Sequence, residues 1–331
     1  MRTMHAVVVA LSIASACAGL GCGSSGPKQV EGPKPSLDDS DKGSGSSNPD
    51  IAAAEDALKA KDCVTARAKA TAVLDKTPKM PDALFILGVC DEADGKPEDA
   101  VAHYKGALEG DPTSTGAAVN LSALLIDLQR YDDAIEVCKA SLAKSKATVE
   151  LHINLAYALK GKGDHAMAAK SFANAIALKP DDASLRIDRA GELTAAGDKD
   201  GAAKELKNAL AKAGNDADLL AEIGVGLAKV DDAPGCVAAF DKAIAAKSSP
   251  VFLTERGICK HKAKDLAGAR KDLDDAIATD PGNLKAQFAA GMYAEEAKDK
   301  KACKQHFGEA VKLAKGDLVE QAKKGLEKCG K

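Results

Sequence analysis

Two cysteine–histidine pairs are the residues of this chain best suited to metal chemistry. Cys259 and His261 are separated by one residue, and Cys303 and His306 by two. Thiolate and imidazole groups are the usual ligands of zinc, but a structural zinc site needs two such pairs in one tetrahedron. Each of the two stands in the sequence as a single pair, without a second pair of ligands beside it that would complete a zinc site. The sequence therefore predicts neither a metal site nor a bound cofactor.

The sequence also lacks the short motifs that carry common catalytic reactions. It contains no H-E-x-x-H segment, no G-x-S-x-G turn and no glycine-rich loop that could cradle a phosphate. The glycines that recur, such as Gly95, Gly163 and Gly197, stand where a helix would end and a positive backbone angle is favourable. We therefore predict that the protein is not an enzyme.

Composition narrows the class of protein. Charged residues make up 29% of the 331 residues with both signs mixed along the chain, and the net charge is -3. Without a basic stripe, nucleic acid is not an expected partner. Aromatic residues make up only 3% of the chain and Trp is absent, which favours many thin helix layers over one deep core.

Residues 1–22 differ from the rest and are predicted to be a signal peptide. Arg2 and His5 precede an apolar run at residues 6–16, which is too short to span a bilayer but has the length of a signal-peptide core. Cys22 and Cys17 each follow small residues, a pattern that resembles the bacterial lipobox. We expect lipidation at Cys22, or alternatively at Cys17.

Ordinary cleavage after Ala16 is the alternative, because Ala14-Ser15-Ala16 is also a signal-peptidase pattern. The mature protein would then be soluble in the periplasm or secreted. Residues 23–49 contain mainly Gly, Ser, Pro, Lys and Asp, and such a segment buries too little apolar surface to fold. We predict a flexible tether there.

The rest of the chain repeats one helical hairpin, seen most clearly at residues 151–182. Leu151, Leu155 and Leu159 have helical spacing, and Phe172 lies on the apolar face of a second helix that Pro180 ends. Small residues open the second helix of every unit at intervals of 34 residues, with one interval of 33: Ala66, Ala100, Ala134, Ala168, Ala202, Cys236, Ala269 and Cys303.

A second column of small residues lies twelve positions before each of these openers. It comprises Ala54, Gly88, Ser122, Ala156, Ala190, Gly224, Gly257 and Gly291. Two helices can approach closely only where neither has a bulky side chain, so the paired columns predict the contact within each hairpin. A larger residue, such as Tyr104 or Phe240, follows many openers by four positions and would fill the space beside that contact.

This pattern resembles the tetratricopeptide repeat (TPR) family, whose period is 34 residues. The resemblance implies an all-α fold, an α-solenoid of antiparallel helix pairs forming a right-handed superhelix with a concave groove. It covers residues 50–315 in about eight units, the first of them degenerate. Residues 316–331 are expected to form a C-terminal capping helix over the last layer.

The resemblance also implies which residues line the groove. Positions of the first helices that face the groove in the family correspond here to Phe85, Val119, Asn120, Ile153, Asn154, Tyr157, Ile187 and Asp188. An apolar row would take the side chains of an extended peptide, and the amides of Asn120 and Asn154 would pair with its backbone. The alternative is that the apolar residues pack between helices and the asparagines are merely solvated.

Within this repeat, the start of a second helix lies beside the end of the next first helix, which places several cysteines close together. Disulfide bonds between adjacent units are predicted for Cys63 with Cys90, Cys236 with Cys259, and Cys303 with Cys329. The alternative is that these cysteines are small buried apolar residues. Cys138 occupies a large core position and is expected to be a buried thiol.

The function expected from the resemblance is a scaffold without chemistry of its own. It would be a lipoprotein on the periplasmic side of the bacterial outer membrane, with membrane contact only through the lipid. Its groove would hold a peptide or partner protein, and by analogy it would assist the assembly of an envelope complex. The alternative is a regulatory accessory subunit of a cell-wall hydrolase or protease.

Overall fold

The computed structural model describes residues 48–330. The predicted signal peptide, almost all of the predicted tether and the two candidate lipidation residues Cys17 and Cys22 lie outside the described residues.

Helices make up most of the described chain. Their bounds are α1 Pro49–Lys59, α2 Cys63–Lys76, α3 Pro81–Ala93, α4 Pro97–Gly110, α5 Thr115–Asp127, α6 Tyr131–Lys144, α7 Val149–Gly161, α8 His165–Leu178, α9 Ala183–Ala195, α10 Lys199–Lys212, α11 Ala217–Lys229, α12 Ala233–Ala246, α13 Pro250–Lys262, α14 Leu266–Thr279, α15 Leu284–Glu296, α16 Lys300–Leu313 and α17 Asp317–Lys328. Residues 48–330 contain no strand. The predicted all-α solenoid of helix pairs is confirmed.

A carboxylate cap begins most of the second helices. The side chain of Asp164 accepts a hydrogen bond from the backbone N–H of Met167 at 3.1 Å, and Asp62, Asp198, Asp232, Asp265 and Asp299 repeat this arrangement in other units. The cap satisfies an N–H group that has no partner within the helix. In these six units the short turn and its cap together fix where the second helix starts.

The residue before the N-cap position of every second helix, with or without a carboxylate cap, has a positive φ. Gly95, Gly163 and Gly197 meet this requirement as the sequence indicates, with φ of 70°, 79° and 87°. Five other hairpin turns use residues with side chains: Lys61, Gln129, Asp231, Lys264 and Lys298. The fold therefore tolerates the steric cost of a left-handed residue at the equivalent turn position.

In several hairpins a small residue of the first helix packs against a large residue of the second, as the sequence columns predict. The rings of Tyr104 and Phe240 are buried and lie against the backbones of Gly88 and Gly224. A Cβ atom added to Gly88 would lie 2.6 Å from the ring of Tyr104, and one added to Gly224 would lie 2.7 Å from that of Phe240. Glycine at these positions lets the aromatic ring approach the opposite helix.

The apolar core runs along the stack as a series of clusters, each formed by two to five neighbouring helices. At the C-terminal end, α17 packs on α16, with the backbone of Gly325 against the ring of Phe307 and Cys329 bonded to Cys303. Each unit is thus stabilised mainly by its neighbours, and side chains on the first helices form one surface that continues from unit to unit.

Candidate functional site

The predicted groove residues fall into two groups. Five of them are half-buried and accessible from the surface: Phe85, Ile153, Tyr157, Ile187 and Asp188. Three are buried: Val119, Asn120 and Asn154, with exposed fractions of 6%, 3% and 0%.

The predicted asparagine ladder does not match the structure, because both amides are used inside the protein. The Asn154 side-chain nitrogen donates to the backbone oxygen of Val119 at 3.0 Å and to the Ser122 hydroxyl at 2.9 Å. The Asn120 nitrogen donates to the Tyr104 hydroxyl at 3.4 Å. These residues join neighbouring helices, and a peptide on the surface could not reach them.

Among the half-buried groove residues, Tyr157 on α7 and Asp188 on α9 contact each other. The Tyr157 hydroxyl donates to the Asp188 carboxylate at 3.2 Å. Its ring lies edge-on to that of Phe172, with 5.4 Å between the ring centroids. Because burial raises the pKa of Tyr157, its hydroxyl keeps its proton and acts as the donor. The hydrogen bond to Asp188 and the ring contact with the buried Phe172 together hold the Tyr157 side chain in one orientation.

The pKa of Asp188 is raised to about 6. Burial away from water is the largest cause, and the carboxylates of Glu222 and Glu192 add to it, while the Tyr157 hydroxyl and the Lys160 ammonium oppose it. Among the ion pairs of residues 48–330, none includes Asp188. The site thus holds a partly desolvated negative charge that its own surroundings only partly neutralise.

Glu192 lies one turn further along α9 and, unlike Asp188, has ion-pair partners. Its carboxylate is buried, yet it lies 3.2 Å from the Lys160 ammonium and 2.8 Å from Nδ1 of His165. Lys160 also lies 5.8 Å above the ring of Tyr157. Lys160 is therefore paired with Glu192, and Asp188 has no ion-pair partner among residues 48–330.

Sequence reasoning missed the cluster around Glu192. His165 opens α8, Lys160 ends α7 and Glu192 lies near the end of α9, so only the folded repeat brings them together. In the sequence Glu192 is far from Lys160 and His165, and no motif links their spacing.

Two cysteine pairs are bonded in the structure. Cys236 is joined to Cys259 and Cys303 to Cys329, with Cα–Cα separations of 6.0 and 5.7 Å. Both pairs connect a second helix to the helix that follows it.

Cys63 and Cys90 are unbonded, in contrast to the prediction. Cys63 is the first residue of α2, whereas Cys236 is the fourth residue of α12. Cys63 therefore stands one helical turn before the bridging position, which Ala66 occupies in its unit. The Cys90 thiol contacts the backbone oxygen of Cys63 at 3.7 Å instead, and burial raises its pKa to about 12. Cys138 is a buried thiol whose pKa burial raises to about 11.

The histidines of the two cysteine–histidine pairs have other partners. His261 Nε2 lies 2.8 Å from the Glu296 carboxylate, and His306 Nδ1 lies 2.9 Å from the side-chain oxygen of Gln287. Within residues 48–330, no group of three or more His, Cys, Asp or Glu side chains is arranged to hold a metal ion. None of the helices in that range combines the length and the apolar character needed to cross a membrane.

Comparison with known proteins identifies the family. Models described as tetratricopeptide repeat match residues 51–115, 92–159 and 149–182. These matches agree with the helix pairs and the 34-residue period. The chain is a tetratricopeptide repeat protein. No curated protein matches its sequence.

A solved structure with low sequence identity shows the same fold, and two others are similar to parts of the chain. The C-terminal part of a TPR repeat-containing protein from Cytophaga hutchinsonii is 14% identical with a TM-score of 0.59, and the match covers 73% of this chain and 99% of that one. A tetratricopeptide repeat protein from Parabacteroides merdae is 16% identical over 85% of this chain and 98% of its own, with a TM-score of 0.49. YrrB, described as a TPR protein with an unusual peptide-binding site, is 19% identical over 60% and 98%, with a TM-score of 0.47.

Proposed function

We propose that the protein is a non-catalytic interaction scaffold that binds an extended segment of a partner protein across the first helices α7, α9 and α11. The segment would place a lysine or arginine beside Asp188. The observation that carries this proposal is the half-buried Asp188 carboxylate, which is fixed by Tyr157 and lacks an ion-pair partner within residues 48–330. A cationic side chain would supply the charge that the site lacks.

The surroundings of Asp188 suit an extended chain. Ile153 and Ile187 offer half-buried apolar surface, and Val225 is 37% exposed on the next first helix. Gly191, one turn after Ile187, has no atom within 4 Å of the place where a Cβ would be, which leaves open space. Helices that pack about 10 Å apart are bridged by about three residues of extended chain, so side chains of one peptide could reach successive helices.

The test is calorimetric titration of the protein with two blocked peptides, acetyl-Ala-Val-Ile-Lys-Val-Ala-amide and the same sequence with Glu in place of Lys. We expect the Lys peptide to bind at least about tenfold more tightly, since one favourable charge contact is worth about 1.4 kcal/mol or more. Asp188→Asn should remove the preference. Asp200→Asn, which neutralises an exposed carboxylate on α10, is the matched control and should retain it.

Equal binding of both peptides, or an equal loss in both variants, would rule out the assigned role of Asp188. Binding of neither peptide by the folded wild-type protein would count against the whole proposed surface.

We further propose that the protein is exported and anchored by a lipid at Cys22, or at Cys17, on the periplasmic side of the outer membrane. Support comes from the apolar run at residues 6–16, the small residues before each cysteine and the polar composition of residues 23–49. Mass spectrometry of the mature N-terminus distinguishes a lipidated Cys22, a lipidated Cys17 and plain cleavage after Ala16. An unprocessed Met1 in envelope fractions would overturn the proposal of export.

In this setting the partner would be a component of an envelope complex whose assembly the scaffold assists. Crosslinking in intact cells, followed by capture of the protein, tests this role. Capture of a cell-wall hydrolase or protease whose activity changes on binding would instead support the regulatory alternative.

A further inference from the structure

The two disulfides lie on either side of one junction that has none. They connect α12 to α13 and α16 to α17, and in each the cysteine on the second helix is the fourth residue of that helix. At the junction of α14 and α15 the positions equivalent to Cys236 and Cys259 carry Ala269 and Tyr293. This junction therefore has no covalent link between its two hairpins.

A cavity of about 440 Å³ lies at this uncrosslinked junction. Residues of α13 to α16 line it, and its apolar walls include Leu266, Leu273, Ala294 and Ala302. Leu266, the first residue of α14, is 55% exposed at this cavity. An exposed leucine beside an open apolar cavity is a feature of surfaces that another molecule covers.

An aromatic wall closes one side of the cavity. The rings of His261 and Tyr293 are stacked with 3.6 Å between their centroids, and the Glu296 carboxylate lies 2.8 Å from Nε2 of His261. These rings come from α13 and α15 and so join the two hairpins. The cavity uses a different face of α15 from Phe288 and Met292, which continue the first-helix surface.

Four charged residues line the cavity, and three of them are acidic. Arg270 is 3.7 Å from the Asp274 carboxylate and 3.9 Å from that of Asp299, so one exposed guanidinium is shared between two carboxylates at long distance. Glu296 is the third acid, and its carboxylate lies 2.8 Å from Nε2 of His261. The lining therefore has an excess of negative charge around an apolar interior.

From these features we propose that this cavity is a second binding site, which takes a bulky apolar side chain followed by a lysine or arginine in a partner protein. The apolar side chain would lie against Leu266, Leu273 and Tyr293. The cationic group would lie near Asp274 and Glu296, where charge complementarity favours it over an acidic one. This site is separate from the surface of α7, α9 and α11 and goes beyond the function proposed above.

The test uses the full mature chain and two probes, acetyl-Leu-Lys-amide and acetyl-Leu-Glu-amide. Amide chemical shifts in two-dimensional NMR report binding, because Ala290, Ala294 and Ala297 line the cavity. We expect the Lys probe to shift these signals in a saturable way and the Glu probe to bind at least about tenfold more weakly. Absence of shifts with the Lys probe, or equal affinity for both probes, would overturn the proposal.

Two pairs of variants separate the cavity from general effects on the fold. Ala267→Trp fills the cavity from an exposed position at the second residue of α14, and Ala166→Trp makes the same change at the second residue of α8. The first should abolish binding of the Lys probe and the second should leave it unchanged. Loss of binding in both variants while circular dichroism shows both folded would contradict the assigned site.

The role of the acidic lining is tested with Asp274→Asn. The control is Asp275→Asn, because the Asp275 carboxylate pairs with Lys271 outside the cavity. Asp274→Asn should reduce the preference for the Lys probe at least about threefold, and Asp275→Asn should not change it. Asp188→Asn should also leave binding of these probes unchanged. That result separates this site from the first-helix surface, so either proposal can fail alone.

Discussion

The carboxyl group of Asp188 should make stability depend on pH. Its pKa is about 6 in the folded chain against an ordinary value of 3.8, so the folded state holds the proton more tightly. The cost of ionisation is absent below about pH 3.8 and fully present above about pH 6. Asp188→Asn should therefore raise the free energy of unfolding at pH 7.5 by on the order of 1–2 kcal/mol, a gain lost at pH 3.8. Thermal unfolding at both pH values measures this, and destabilisation at pH 7.5 would contradict it.

The same group should set the pH dependence of peptide binding. A cationic peptide prefers the ionised carboxylate, and with a pKa of about 6 only about one tenth of the Asp188 groups are ionised at pH 5. Affinity for the Lys peptide should therefore fall about tenfold between pH 7.5 and pH 5. Titrations across this range with Asp188→Asn as control measure the effect. A fall of the same size in the variant would assign it to another group.

The role that the sequence predicts for Asn154 differs from the role that the structure shows. The sequence predicts a polar side chain on the groove, whereas the structure buries it between α5 and α7. Asn154→Ala should lower the free energy of unfolding by about 1–3 kcal/mol, because its two hydrogen bonds to Val119 and Ser122 are lost. The exposed Asn174→Ala on α8 should change it by less than about 0.5 kcal/mol. Urea unfolding compares the two, and equal effects would argue against the buried network.

At the scale of the helix, two glycines in equivalent interiors should respond in opposite ways. A Cβ on Gly224 would collide with the Phe240 ring, whereas one on Gly191 meets nothing within 4 Å. Gly224→Ala should destabilise by about 1–3 kcal/mol through overpacking. Gly191→Ala should stabilise by about 0.5–1 kcal/mol, since alanine is the better helix former. Thermal unfolding of the two single variants measures both stability changes. A destabilising Gly191→Ala would show that the helix face at Gly191 is not open.

The helices were largely predictable because their signals recur. Small residues such as Gly88 and large ones such as Tyr104 keep their columns across the units, and the structure packs them together. Turn geometry was less predictable, since residues such as Gln129 adopt the positive φ that the sequence assigns to glycine. The position of Cys63 also escaped prediction: a single helical turn separates it from the bridging position, and only cap geometry fixes that turn.

At the scale of the molecule, a side chain's partners depend on how neighbouring units are stacked. The sequence predicts the surface of α7 and α9 as a row of Ile, Tyr and Asp residues. It does not predict that Lys160 is engaged by Glu192, which leaves Asp188 without an ion pair among the described residues. Such contacts join residues about one period apart, so they depend on the angle between units, which repeat columns leave undetermined.

The stacked architecture also predicts that the disulfides stabilise locally. In a solenoid each unit contacts only its neighbours, so a covalent link affects the units it joins. The Cys236–Cys259 bond closes a loop of 23 residues, and its removal should cost about 2–4 kcal/mol. Cys236→Ala with Cys259→Ala should therefore speed amide hydrogen exchange in α12 and α13 and leave α3 to α6 unchanged. Cys63→Ala with Cys90→Ala is the control, since it removes unbonded thiols. Faster exchange spread evenly along the chain would show that the stack unfolds as one cooperative unit, and the local role of the bond would then be rejected.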